Sequence, residues 1–244
     1  MFINKVAIKQ IKDWFLQHPT EESCGIILKD SGLFVPCRNV LSKEGRKTGF
    51  QIEAAKLCKY AGRIGAVAHS HIGGPDYPSV FDQERQIETA APWIIGVVNS
   101  GRVSDMFQFG NGESLDSAPF RHAVSDCYEL VRNWYAGREV KLPPIVREWE
   151  WWKSEGILES GFSNAGFYKF DPGKEEPGVG DLAVIGVKSD VPHHCAIYVG
   201  NGAIYHHPGG AAPFDPTRYP REENISRWRK HIKFWLRHRD LKII

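Results

Sequence analysis

Apolar positions along the chain fall into two successive sets of elements. Residues 6–17 carry Ile8, Ile11, Trp14 and Phe15 at near-helical spacing, and Pro19 and Thr20 punctuate the end. Residues 24–28 form a short unbroken apolar run of strand length, and 33–37 read as its hairpin partner across Asp30-Ser31-Gly32. A short helix over 54–61 ends at Gly62. A second buried strand over 64–68 follows and delivers His69 and His71 at its C-terminal end. Residues 79–89 predict a polar helix with Pro78 just before it, and 93–98 and 106–109 predict further strands. The pattern then lapses into small and polar residues over 110–118, closed by Pro119, and starts afresh. Residues 126–135 predict a helix with Leu130, Val131, Trp134 and Tyr135 on its apolar side. An aromatic stretch over 149–170 precedes predicted strands at 182–187, 195–199 and 203–206. Gly200-Asn201-Gly202 is a hairpin signal between the last two, and the near-alternating 232–237 predict a final strand. Two domains, 1–109 and 119–244, joined by a linker over 110–118, is the organisation this predicts.

Composition narrows the function classes. The 244 residues are 42% apolar and 25% charged, the balance of a globular chain rather than a disordered one. A formal charge of +2 gives no chain-wide case for nucleic-acid binding. No apolar run approaches the ~20 residues of a membrane helix. The start lacks a secretory apolar region, so synthesis in a cytoplasm and export by another route are expected. Five cysteines without a C-x-x-C pair argue against a disulfide framework and a thiolate zinc knuckle. Residues 218–244 hold nine Lys/Arg against three Asp/Glu, a basic end that reads first as a solvated face around Trp228, Phe234 and Trp235.

Chemistry concentrates in two constellations. His69 and His71, two apart on a strand, share a face, and Asp82 can return to the same point from the following helix. Two imidazoles and a carboxylate make a three-ligand metal site with an open position, as catalytic zinc uses. Glu22 could supply a base from the neighbouring strand. Cys24, inside an apolar run, reads as a buried core thiol. In the second half, Cys127 follows Asp126 at a helix start, where the macrodipole and free N–H groups favour a thiolate. A thiolate nucleophile needs an imidazole base and a polar group to orient it. Adjacent strands across the Gly200–Gly202 turn can present His194 and His206 side by side, while Cys195 reads as structural.

Each constellation carries a family resemblance. His69-x-His71, seven residues, Ser79, two residues, Asp82, with Glu22 two residues before Cys24-Gly25, resembles the JAB1/MPN/Mov34 (JAMM) metallopeptidase pattern. That resemblance implies one zinc ion per chain on His69, His71 and Asp82, Glu22 as general acid/base, and Ser79 supporting the oxyanion. Asp126-Cys127, Gly180-Asp181-Leu182, His194-Cys195-Ala196-Ile197-Tyr198-Val199-Gly200 and Ile204-Tyr205-His206 resemble the NlpC/P60 family of papain-like cysteine peptidases. It implies Cys127 as nucleophile, His194 as base and His206, rather than His207, as the orienting residue. Tyr128 stands where the cell-wall enzymes usually carry a small Ser.

The implied fold is α+β/α-β in two domains: a JAMM-type, cytidine-deaminase-like α/β sandwich, then a papain-like α+β domain. The two modules in this order look like the lambda-like tail-tip assembly protein K family of tailed bacteriophages. That resemblance implies assembly in the host cytoplasm with other tail-tip proteins, then a place at the virion tail tip. It implies cleavage of peptidoglycan stem peptides, typically between D-glutamate and the diamino acid, at the bacterial wall or periplasm. The JAMM half would be a zinc-dependent amide or isopeptide hydrolase that processes a tail protein. Neither nucleic acid nor a membrane-spanning segment is expected. The competing readings are a structural tail-tip protein with one or both sites inactive, and a cellular wall or deconjugating enzyme.

Overall fold

A computed structural model describes residues 4–104, 106–110, 114–153, 156–210 and 212–242. Two compact units divide the chain, residues 1–112 and 113–244. Of the expected linker, residues 111–113 lie outside the described set. Asp116 and Ala118 from the same stretch bond within the second unit, to Tyr205 Oη at 2.6 Å and His207 Nε2 at 2.9 Å.

In the first unit, helix α1 (Lys5–Leu16) starts at Asn4, whose side chain accepts from the Ala7 amide at 2.8 Å. It buries Ala7, Ile11 and Phe15 against a mixed sheet. The strands are β1 (Cys24–Leu28), β2 (Phe34–Cys37), β3 (Ile64–Ile72), β4 (Trp93–Asn99), β5 (Arg102–Val103) and β6 (Phe107–Phe109). Helix α2 (Ala54–Lys59) precedes β3, and α3 (Val80–Thr89) links β3 to β4. The order is β2-β1-β3-β4-β5, with β6 also on β4. Among the described strands of this unit only β3 and β4 run parallel, and α3 supplies the crossover that a parallel pair needs. The strand expected over 64–68 continues to Ile72. Pairing with β4 carries it through His69 and His71, which therefore lie within a central strand rather than beyond it.

The second unit sets a helix layer on another sheet. The helices are α4 (Cys127–Ala136) and α5 (Ile157–Asn164). The sheet is built from β8 (Phe167–Phe170), β9 (Leu182–Ile185), β10 (His194–Gly200), β11 (Ala203–His206), β13 (Arg221–Asn224) and β14 (Ile232–His238), in the order β13-β11-β10-β9-β14-β8. A separate pair joins β7 (Phe120–Arg121) to β12 (Phe214–Asp215). Tyr128, Val131, Tyr135 and Phe162 pack on Leu182, Val184, Cys195 and Ile197, while Ala183, Ile185, Ala196 and Ile204 pack on Trp235 across the sheet. Strands β9 and β10 are thus covered on both faces, which is why their cores read as unbroken apolar runs. The expected strand over 182–187 stops at Ile185, where the Gly186 amide turns to the His231 carbonyl at 2.9 Å. Gly200, Asn201 and Gly202 all take positive φ (92°, 52° and 70°) in the β10–β11 turn. The aromatic stretch resolves into α5 and β8, and the final strand is β14.

The basic end is only partly free charge. Arg237 is paired to Asp181 at 2.7 Å and to Glu175, and Arg221 to Glu223 at 2.9 Å. Trp235 is buried; Trp228 and Phe234 are half-buried. Among the described residues no helix is long and apolar enough to cross a membrane.

Candidate active sites

The antiparallel register of β1 and β3 places Cys24 opposite His69. Ser70 donates its amide to the Ser23 carbonyl at 2.9 Å, and the Ser23 amide donates to Ser70 Oγ at 2.9 Å. One step further along that register puts Glu22 opposite His71. Glu21, the acid just before Glu22 in sequence, is paired to Arg46 at 2.7 Å at the partly exposed rim. Glu22 is buried, its backbone fixed by the Arg46 carbonyl at 2.6 Å and by Asn39 Nδ2 at 2.9 Å. Burial pushes the Glu22 carboxyl up to about 7, with His71 opposing and Asp82 adding to the rise.

Ser79 caps α3 and Asp82 sits three residues on, a reciprocal pair legible as S-x-x-D. Ser79 Oγ accepts from the Asp82 amide at 3.1 Å and donates to Asp82 Oδ2 at 2.7 Å, while the Ser79 amide donates to the same oxygen at 2.8 Å. The cap therefore holds the carboxylate by two bonds to one oxygen, and the Ser79 hydroxyl is engaged with Asp82. Asp82 Oδ1 lies 3.1 Å from His69 Nε2, Oδ2 lies 3.2 Å from His71 Nε2, and the two Nε2 atoms are 3.1 Å apart. His71 Nδ1 is 2.6 Å from the Pro75 carbonyl, which only accepts, so Nδ1 carries a hydrogen. In the neutral ring the Nε2 lone pair then points at Asp82 and His69.

Three electron-pair donors, all buried, converge within 4.8 Å of one another, close enough to hold one cation between them. Its N,N,O donor set is one that divalent metals of borderline softness accept. Burial opposes charge on Asp82, yet His69 and His71 hold it far below the usual carboxylate range. Burial also opposes charge on His71, but Asp82 and the Pro75 carbonyl raise it, whereas burial keeps His69 low. Phe50 stacks on His69 at 4.6 Å and Trp93 meets it edge-on at 5.5 Å, fixing the ring.

In the second unit Asp126 is the N-cap of α4, and its Oδ1 accepts from the Tyr128 and Glu129 amides, each at 3.1 Å. Cys127 follows at the first helical position. Its thiol is held well below its ordinary value by a hydrogen bond from the Cys195 thiol, against burial, and by the charge and hydrogen bond of His194, with Asp126 opposing. His194, at the start of β10, meets His206, at the end of β11, with Nε2 and Nδ1 2.8 Å apart. Burial and the neighbouring His194 push His206 down to about 3, so its ring is neutral near pH 7. His207 turns away, donating Nε2–H to the Ala118 carbonyl. Cys127 and His194 line one cleft, walled by Trp149, Trp151, Trp152 and Trp228.

Two participants escape a sequence reading. Cys195 does more than fill the sheet: it shares with Ile197 the α4-facing side of β10, and its thiol donates to Cys127. Strand alternation from Ile197 is the signal that could have placed it there. Glu223 lies 3.4 Å from His206 Nε2 and accepts from Trp228 Nε1 at 2.7 Å. Nothing local in the run Arg221-Glu222-Glu223-Asn224 marks it.

The model of the NlpC/P60 family matches residues 105–228. The chain is 30% identical over 179 residues to the tail tip assembly protein K of Escherichia phage lambda, spanning 73% of this chain and 83% of that protein. Among solved structures, a lipoprotein-like member of the NLP/P60 family from Staphylococcus aureus is 17% identical with a TM-score of 0.35, covering 52% of this chain and 38% of that one. An NlpC/P60 family protein from Bacillus cereus is 10% identical with a TM-score of 0.29, covering 86% and 60%.

Proposed function

The chain belongs to the NlpC/P60 family, and on that premise we propose that its second unit is a cysteine peptidase that cuts peptidoglycan stem peptides from the tail tip of a tailed phage. The observation that carries this reading is the 2.8 Å contact of His194 with His206 beside the Cys127 thiol at the α4 N-terminus. Cys127 Sγ, as the thiolate, attacks the amide carbonyl carbon and drives the carbonyl electron pair onto oxygen. The His194 imidazolium passes its proton to the leaving nitrogen as the C–N bond breaks, leaving a thioester on Cys127. Water then enters, His194 takes its proton, and collapse of the second tetrahedral species frees the carboxylate product and the thiolate. The tryptophan-walled cleft offers apolar faces for the substrate and limits water at the thioester. Placement at the tail tip rests on the lambda relative, whose name describes tail-tip assembly. Carboxymethylating Cys127 is expected to stop release of stem-peptide fragments from purified peptidoglycan; release that survives complete modification would refute the assignment.

The first unit supports a second activity. His69, His71 and Asp82 would hold one zinc ion, and Glu22 and Ser79 would complete a JAMM-type amide or isopeptide hydrolase that processes a tail protein during assembly. When bound, zinc would lower the pKa of a water to roughly 7 and polarise the scissile carbonyl. Glu22, buried and raised to about 7, is suited to take a proton and return it to a leaving nitrogen at neutral pH. Ser79 would steady Asp82 through its 2.7 Å bond and could share its hydroxyl with an oxyanion. About one zinc per chain is expected by elemental analysis of protein prepared without chelator. His69→Ala should lose that zinc while Cys127→Ala keeps it; a folded, metal-free wild type would exclude the reading. An inactive, structural unit remains the competing reading and predicts the same fold without zinc-dependent hydrolysis.

A further inference from the structure

Behind His194 and His206 a carboxylate faces the far ring nitrogen. Strand β13 pairs with β11 so that His206 lies opposite Arg221 and Ile204 opposite Glu223. Side chains two apart on a strand share a face, so Glu223 sits diagonally across from His206. Its Oε2 is 3.4 Å from His206 Nε2, a buried nitrogen that has no hydrogen-bond partner among the described residues and faces this carboxylate. Trp228 Nε1 donates to Oε2 at 2.7 Å and Arg221 Nε to Oε1 at 2.9 Å, so the carboxylate is held from both ends. The Trp228 ring also lies 4.9 Å from His206 and 5.7 Å from His194, closing the relay on one side.

We propose that Glu223 is a positioning residue of this site: its carboxylate fixes the proton of His206 on Nε2 and thereby leaves His194 Nδ1 free to exchange a proton with Cys127. The inference rests on the cysteine-peptidase reading of the second unit. A carboxylate only accepts, so a ring nitrogen facing it is the one that carries hydrogen. With the His206 proton on Nε2, Nδ1 is a lone pair and must accept from His194 Nε2–H across the 2.8 Å contact. His194 in its neutral form then has one lone pair left, on Nδ1. The opposite tautomer of His206 would put a lone pair against Glu223 and leave His194 Nδ1 already protonated, unable to act as base. When His194 becomes imidazolium, the chain ends on a negative charge rather than on solvent. Other charged or titratable groups around the relay are Asp126 and Cys127 at the head of α4, Arg147 and His122 beside them, Cys195 on β10, His207 after β11, and Arg221 on β13. Of the two arginines, Arg147 lies toward Cys127 and Arg221 toward His206, and Glu223 already pairs with Arg221.

Iodoacetamide alkylation of the full chain across pH tests this, with the Cys127 peptide followed by mass spectrometry to separate it from exposed Cys58. In wild type the Cys195 hydrogen bond and the neighbouring His194 keep the Cys127 thiol below its ordinary range. Glu223→Ala is expected to raise the alkylation midpoint by about one pH unit and to lower kcat about tenfold at unchanged KM. Glu223→Gln retains an oxygen for His206 Nε2–H without the charge, so it should recover most of kcat while the midpoint stays partly raised. A histidine 15N spectrum should show the His206 proton on Nε2 in wild type and Glu223→Gln, and shared between both nitrogens in Glu223→Ala. Wild-type midpoints and turnover in both variants would overturn the proposal. Should Glu223→Ala fail to fold, the isosteric Glu223→Gln decides alone through its midpoint. Alkylation needs no substrate, so a shifted midpoint in a protein that releases no stem peptides would uphold Glu223 while overturning the peptidoglycan reading.

Discussion

Asp126→Ala is expected to cost the second unit about 4 kcal/mol, enough to leave much of it unfolded at 37 °C. The carboxylate is 5% exposed and accepts four hydrogen bonds. Two cap α4, a third comes from the Ala123 amide at 2.8 Å, and the fourth comes from Arg147 Nη2 at 2.5 Å. Arg147 is itself 3% exposed; it also donates to the Ile145 carbonyl at 2.5 Å, lies 3.7 Å from Glu129 and sits over the Tyr128 ring at 5.4 Å. Removing Asp126 takes the nearest negative charge from a buried guanidinium, and that loss dominates the ~1 kcal/mol lost with the cap. Asp126→Asn keeps the cap acceptor but turns a neutral amide to Arg147, and should fall between the two. Urea unfolding followed by tryptophan fluorescence reads this unit preferentially, since six of the eight tryptophans lie at or beyond residue 134. A midpoint unchanged in Asp126→Ala would contradict the account. The same group predicts acid sensitivity. Burial works against its charge, but Arg147 and His122 hold it down at about 2 against a reference of 3.8. Its stabilisation, on the order of 2 kcal/mol, is present above pH 3.8 and fades as pH falls toward 2.

How much of this was legible in sequence depended on how local each feature was. His69 and His71 are two apart in an apolar run, so the strand period alone puts them on one face, and S-x-x-D announces both a helix start and the return of Asp82. Asp126 before an amphipathic stretch marks Cys127 as a first-turn residue. The Gly200–Gly202 turn is spelled by residues that tolerate positive φ, and it brings His194 toward His206. The rest depended on pairings set by the whole unit. Glu223 reaches His206 because β13 docks on β11, and a polar run such as Arg221–Asn224 has no periodicity that distinguishes an edge strand from a loop. Arg147 comes from a segment without regular structure, and only the fold buries it against Asp126. Strand β8 emerges from the aromatic stretch because β14 offers it a partner edge, a contact between residues more than 60 apart in sequence.

Cys127→Ala is expected to remove peptidoglycan hydrolysis by at least ~10³-fold, the largest effect on activity that one side chain in this chain should produce. No other group in the cleft can replace the thiolate. Cys195 is fully buried, its thiol is driven well above the ordinary range by burial and by Cys127, and it lies in the sheet behind the nucleophile. His194→Ala removes the base that shares its proton and should come close to the same loss, since nucleophile and base act as a unit. His206→Ala should retain more activity, because it orients rather than exchanges the proton. None of the three changes should alter zinc content, because the ligands proposed for it, His69, His71 and Asp82, are side chains of the first unit. The most direct measurement is mass spectrometry of purified peptidoglycan after digestion by wild type, wild type with a chelator, Cys127→Ala and His69→Ala. The account predicts stem-peptide fragments from wild type, from chelated wild type and from His69→Ala, and none from Cys127→Ala. Fragments that persist in Cys127→Ala and vanish on chelation would contradict it.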